Sequence, residues 1–115
     1  MTLTLSTHVL DATTGRPAAG VLVRLERGGD GGWVPSGRGE TGPDGRLRLT
    51  GAGGAAEFGP GVYRITFASG AYFLARGAAS FYPEVTITFE MTEPGEHYHV
   101  PLLLSPFAYS TYRGS

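Results

Sequence analysis

Residues 3–10 read LTLSTHVL, and their alternation decides the fold class. Leu3, Leu5 and Val9 fall on one side of an extended chain, with Thr4, Ser6 and His8 on the other. The period of two returns downstream. Val21, Val23 and Leu25 alternate with Leu22, Arg24 and Glu26, up to the glycine-rich stretch at 28–32. Residues 33–41 form a weaker strand, interrupted by Pro35 and Gly37. Gly42-Pro43-Asp44-Gly45 reads as a tight reversal, with Pro and Gly supplying the backbone angles. Residues 46–50 follow, with Leu47 and Leu49 inward and Arg46 and Arg48 opposite. Beyond a Gly/Ala-rich loop at 51–61, Tyr63, Ile65 and Phe67 alternate with Arg64 and Thr66.

One segment breaks the rhythm. Ser69 is positioned to cap a short helix through residues 71–76, with Gly77 at C′. Strands resume at 85–90, where Val85, Ile87 and Phe89 share a face, and Pro94-Gly95 turns the chain into residues 97–104. Ser105-Pro106 separates that strand from 109–113. Seven or eight short strands with frequent turns describe an antiparallel β-sandwich in a single domain, residues 1–115.

Composition narrows the function. Apolar residues are 41% and charged residues 17%, as in a folded globular chain, and the 19 Gly and 8 Pro follow no period. A net charge of −1 argues against a nucleic-acid partner, which calls for a basic surplus. The chain has no cysteine, so disulfides, thiolate zinc sites and a cysteine nucleophile are excluded. The first residues carry no basic, apolar leader pattern and no stretch is long enough to span a membrane. The expectation is a soluble, cytoplasmic protein with no membrane partner.

The chemistry-bearing residues sit against the apolar pattern. His8 lies opposite Leu3, Leu5 and Val9, and His97 and His99, two apart, leave the same face of one strand. Arg46 follows the Pro-Asp-Gly turn on the side away from Leu47. A lone histidine on a strand is usually solvated surface; here all three histidines of the chain project outward from strands. Leu102, Leu103 and Leu104 break the alternation, so both faces of their strand call for cover. One face belongs to the core, and the other implies a further subunit.

Residues 8–18 (HVLDATTGRPA), 43–46 (PDGR) and 97–115 (HYHVPLLLSPFAYSTYRGS) resemble the 5-hydroxyisourate hydrolases, the transthyretin-like enzymes of purine catabolism. The resemblance runs from about Leu3 to Ser115, and the closing Tyr-Arg-Gly-Ser distinguishes the enzymes from transthyretin, the hormone carrier of the same fold. It implies an all-β, transthyretin-like two-sheet sandwich with one short helix, assembled as a homotetramer with sites at the subunit interface. It implies hydrolysis of a ring amide of 5-hydroxyisourate to 2-oxo-4-hydroxy-4-carboxy-5-ureidoimidazoline by histidine-activated water, without a cofactor or metal. By the same resemblance His8, Arg46 and His99 match the catalytic residues. Tyr112 matches a substrate contact, and Ser115 brings its hydroxyl or a terminal carboxylate to the site. His97 stands behind these groups. Residues 51–59 and Phe73-Leu74-Ala75 depart from the family pattern, outside its motifs.

Two other readings fit the residues. His8, His97 and His99 could supply three nitrogens to a catalytic zinc, with Asp11 and Glu96 the carboxylates nearest in sequence. A small-ligand carrier uses the same sandwich, since a fold alone does not specify function.

Overall fold

The computed structural model describes residues 4–49, 58–93 and 95–115. Leu3, Thr50, most of the Gly/Ala-rich loop and Pro94 of the Pro-Gly turn lie outside the described residues. Among the described residues nine strands and one helix follow in order: β1 (Thr4–Asp11), β2 (Arg16–Pro17), β3 (Leu22–Gly29), β4 (Gly32–Glu40), β5 (Arg46–Leu49), β6 (Gly61–Phe67), α1 (Ser69–Leu74), β7 (Val85–Met91), β8 (His97–Leu104) and β9 (Tyr109–Thr111). They build two sheets. The first runs β2-β1-β8-β9, with β5 also paired to β1, and the second runs β4-β3-β6-β7.

The alternation works as expected. Along β1 every second residue from Leu5 to Asp11 is buried, and the residues between them are half-buried on the outer face. Leu5, Val9, Leu102 and Leu104 from the first sheet meet Val23, Leu25, Tyr63, Ile65 and Phe67 from the second, each 3% exposed or less. Full burial of such side chains contributes about 1.5–3 kcal/mol each, which sets which face turns inward. Pro35 and Gly37 do not end the weak strand. β4 is an edge strand, where a missing N–H costs no ladder bond, and the register shifts beside Leu25 and Glu26 to absorb Ser36.

The sandwich departs from all-antiparallel pairing at one place: β1 and β8 run parallel, Leu5 opposite Tyr98 and Leu10 opposite Leu103. Alternation assigns a side chain to a face but carries no information about strand direction. This pairing joins the two ends of the chain and builds the functional face.

The helix is shifted from its expected limits. Ala68 is the N-cap and makes no side-chain capping bond, while Ser69 is buried in the first turn with its hydroxyl 3.4 Å from the Tyr82 carbonyl. The backbone of a distant segment replaces the side-chain cap, because Gly70 N–H donates to the Pro83 carbonyl at 3.0 Å. A Cβ on Gly70 would lie 2.8 Å from that oxygen, so only glycine permits the approach. Gly77 takes φ +70° one position beyond C′, where it and Ala78 close the last turn onto Leu74 and Phe73.

Six residues of helix are marginal alone, and tertiary contacts hold this one. Tyr72 and Phe73 are buried, and the Tyr72 hydroxyl donates to Asp11 Oδ2 at 2.9 Å. Burial, and then the bond to Asp11, push the Tyr72 phenol up to about 12. Tyr72→Phe leaves one oxygen of the buried Asp11 without that donor and is expected to cost about 1–3 kcal/mol. Urea unfolding checks it as a lower midpoint at unchanged slope.

Candidate functional site

The outer face of the first sheet gathers residues from four parts of the chain. The Gly42–Gly45 reversal closes with Gly45 N–H donating to the Gly42 carbonyl at 2.8 Å, and Gly45 takes φ +76°. A Cβ there would meet the Val9 carbonyl oxygen at 2.5 Å, so glycine lets the turn lie against β1. The next residue, Arg46, is thereby set directly opposite His8. His8 in turn lies opposite Pro101 of β8. Leu102 pairs with Thr111, and His99 bridges to Gly114 in the same alignment, which puts Tyr112 at the level of Pro101. One row across the sheet therefore reads Arg46, His8, Pro101, Tyr112.

The neighbouring row reads Arg48, Ser6, His99, Gly114. Adjacent strands and a two-residue step place the His8 and His99 backbones roughly 8 Å apart, a span that suits a small planar ligand. The His99 ring is wedged on both edges. Its Nδ1 lies 2.8 Å from Ser6 Oγ, and its Cδ2 edge faces Gly114, where a Cβ would come within 2.5 Å. Nε2 is the ring nitrogen that Ser6 does not hold.

The tail that carries Tyr112 and Ser115 is tied down at several points. Gly114 N–H donates to the His99 carbonyl at 2.9 Å, and the Thr111 hydroxyl donates to the Pro101 carbonyl at 2.7 Å. The Arg113 guanidinium stacks 4.7 Å from the Tyr98 ring centre and reaches Glu96 at 3.5 Å. Tyr98 is itself fixed, because its oxygen accepts the N–H groups of Thr92 and Glu93 at 3.0 and 2.9 Å. Those two donors, Glu93 first, draw its phenol below the ordinary value. A cleft of about 250 Å³ between Ile87, Phe89, Tyr98, His99 and Tyr112 opens beside the tail. A larger, shallow depression lies on the outer face of the second sheet between Leu22, Arg24, Arg38 and Glu40, away from the histidines.

Electrostatics favour a neutral imidazole at His99. Burial lowers its pKa below the ordinary 6.5, and the neighbouring His97, Arg46 and His8 lower it further against the opposing bond to Ser6. A neutral ring is the form that accepts a proton from water. If that form does the work, activity persists below pH 6.5, where an ordinary histidine is mostly charged. The acid limb of kcat/KM against pH then falls with a midpoint under 6.5, and a midpoint above that value would assign the limb to another group.

The structure thus brings His8, Arg46, His99 and Tyr112 onto one face, with Ser115 next to Gly114 at its edge and exposed. The three histidines do not converge on one point as a zinc site needs. His97 spends its two ring nitrogens on the Thr4 and Ser6 hydroxyls, and Asp11 and Glu96 are engaged elsewhere. Among the described residues no group of three or more His, Asp or Glu is placed to hold a metal ion. Sequence reasoning missed Ser6 and Gly114 as the two walls of the His99 ring. Ser6 shares the outward face with His8, but its partners lie 91 and 93 residues away across the parallel pairing.

Comparison with known proteins identifies the family. The profile of the HIUase/Transthyretin family matches residues 5–114. The 5-hydroxyisourate hydrolase of Salmonella typhi is 48% identical over 111 residues, 96% of this chain and 80% of the relative. The Klebsiella pneumoniae 5-hydroxyisourate hydrolase structure superposes with a TM-score of 0.83 at 39% identity, covering 97% of this chain and 99% of that one. Sea bream transthyretin in complex with thyroxine superposes with a TM-score of 0.86 at 33% identity, covering 96% and 93%. Shape alone therefore does not separate enzyme from carrier, whereas identity favours the hydrolases. With a matching profile along almost its whole length, the chain belongs to the HIUase/Transthyretin family.

Proposed function

We propose that this chain is a 5-hydroxyisourate hydrolase that opens a ring amide of its substrate to give 2-oxo-4-hydroxy-4-carboxy-5-ureidoimidazoline. The observation that carries the reading is the row of Arg46, His8 and Pro101 lying beside Ser6 and His99 on one sheet face, in a chain 48% identical to a hydrolase of that name. Water is a poor nucleophile at neutral pH, so attack on the carbonyl needs a placed base. His8 and His99 form the pair that takes the water proton and returns one to the departing ring nitrogen. Arg46 presents a planar fork of donors to the carbonyl oxygen as it gains charge, a geometry lysine lacks. Tyr112 and Ser115 contact the substrate from the tail.

A single sheet face is open, and a small-ligand site needs enclosure. We place the site where copies of the chain meet in a homotetramer. Two features support this. One edge of each sheet, β7 in the second and β9 in the first, is unpaired among the described residues, and such edges invite pairing with another copy. Leu10 and Leu103 also lie side by side on the same outer face as the histidines.

The deciding experiment mixes the protein with freshly generated 5-hydroxyisourate and follows its ultraviolet decay. A rate proportional to protein and above the spontaneous decay in buffer supports the hydrolase. Saturable binding without turnover would support a carrier instead.

A further inference from the structure

Four side chains on the outer face of the first sheet form one unbroken line of hydrogen bonds. The Thr4 hydroxyl meets His97 Nδ1, His97 Nε2 lies 2.8 Å from Ser6 Oγ, and the same oxygen lies 2.8 Å from His99 Nδ1. The parallel register creates the line by placing Thr4 opposite His97 and Ser6 opposite His99. Its two ends, His99 and Thr4, are half-buried, and His97 between Thr4 and Ser6 is exposed.

Ser6 has one proton to give, so it bonds both rings in only one of two directions. When Ser6 donates to His97, it accepts an N–H from His99, and His99 Nε2 is bare. When it donates to His99, it accepts an N–H from His97, and His99 Nε2 carries the proton. Both arrangements hold the same number of protons and two neutral rings; they differ in which ring nitrogen carries each proton, with no heavy-atom movement.

Opening an amide into a carboxylate and a neutral urea nitrogen releases one proton per turnover. A base held inside a closed cleft must pass that proton on. We propose that Ser6 and His97 are the exit for the proton that His99 takes from water, His97 being a positioning residue that acts through Ser6. This inference rests on the hydrolase reading. Water gives a proton to His99 Nε2, His99 Nδ1–H passes to Ser6 Oγ, and the Ser6 proton passes to His97 Nε2. Positive charge leaves His99 for His97, whose Nδ1 proton reaches bulk water by way of the Thr4 hydroxyl. His99 is left neutral with its proton on Nε2; once product has left, loss of that proton to water and the reverse shift along the line, with His97 regaining a proton from water, restore the bare Nε2. The charged groups around His99 drive the same direction: Arg46 and Arg48 on β5 and His8 on β1 crowd the His99 end, while Arg113 of the tail is turned toward Glu96.

Three variants test the exit: Ser6→Ala, Ser6→Thr and His97→Gln. The S6A protein is expected to lose roughly tenfold or more in kcat with KM little changed, and imidazole added to the buffer restores part of the rate. S6T keeps the hydroxyl and stays near wild type. H97Q can still bond Ser6 and Thr4 but takes no proton, so it behaves like S6A and is also rescued by imidazole. A wild-type kcat in H97Q overturns the proposal, as does a loss in S6A that imidazole leaves untouched. Ring nitrogen-15 spectra give a readout that needs no substrate. In wild type, titrating His97 shifts the His99 ring signals, and S6A uncouples them. Uncoupled rings in wild type overturn the exit even in an active enzyme. Coupled rings in a wild type that leaves 5-hydroxyisourate unchanged overturn the hydrolase reading instead.

Discussion

Replacing His99 with Asn is expected to lower kcat for 5-hydroxyisourate by about 10²- to 10⁴-fold, the range supplied by a positioned general base. The substitution is chosen because an amide keeps a polar atom near the place of Nδ1, 2.8 Å from Ser6 Oγ. It is also smaller than the ring, so nothing is forced against Gly114. The fold therefore stays intact, which thermal melting checks. What disappears is the group whose burial, with His97, Arg46 and His8 nearby, lowers its pKa below the ordinary 6.5. The part of the acid limb that belongs to His99 should vanish with it, leaving a slow residual rate from His8, Arg46 and substrate binding. A well-folded H99N protein with near-normal kcat would remove His99 from the reaction.

That prediction draws on a site only partly legible in the sequence. His8, His99 and Arg46 could be placed on an outward face because alternation needs only the residues of one strand. The pairing that turns separate outward residues into a site could not be read this way. Arg46 reaches His8 through an antiparallel pairing that a four-residue turn and Gly45 dictate, so this contact was within reach of turn chemistry. His99 reaches Ser6 through a parallel pairing that joins residues 93 apart, and no local pattern encodes it. Gly114 shows the same division. The Tyr-Arg-Gly-Ser motif marks it, but its physical reason is the imidazole against which its missing Cβ would collide. The helix illustrates the reverse error. Ser69 has the chemistry of a cap, yet the Pro83 carbonyl supplies the tertiary contact at that end and Ser69 is buried instead.

Likeness to both a hydrolase and a hormone carrier is intelligible in these terms. The buried alternation that sets the sandwich is indifferent to what the outer face carries. Exchanging His8, Arg46 or His99 for apolar residues would leave the core contacts of Leu5, Val9, Val100 and Leu102 in place. On the proposed reading, function on this scaffold resides in two adjacent rows of outward side chains and in whatever encloses them.

Enclosure leads to the second large effect. Leu103→Glu is expected to split the assembly and reduce hydrolysis to the buffer rate while each chain remains folded. Leu103 sits on the outer face of β8, opposite Leu10 and Ser110, and is half-buried. In a separate chain a glutamate there faces water, a surface change worth about 0.5 kcal/mol or less to folding. Between two copies the same carboxylate is stripped of water without a partner, which costs several kcal/mol per ion and is repeated in every subunit. Four residues along the strand put it roughly 13 Å from His99, so the imidazole and its Ser6 contact are not touched directly. Sedimentation velocity should show smaller species with an unchanged melting transition. Wild-type specific activity should fall on dilution as copies separate, by mass action. If the split L103E species hydrolyse 5-hydroxyisourate at the wild-type rate, the groups on one sheet face suffice, and the site does not need a second copy to close it.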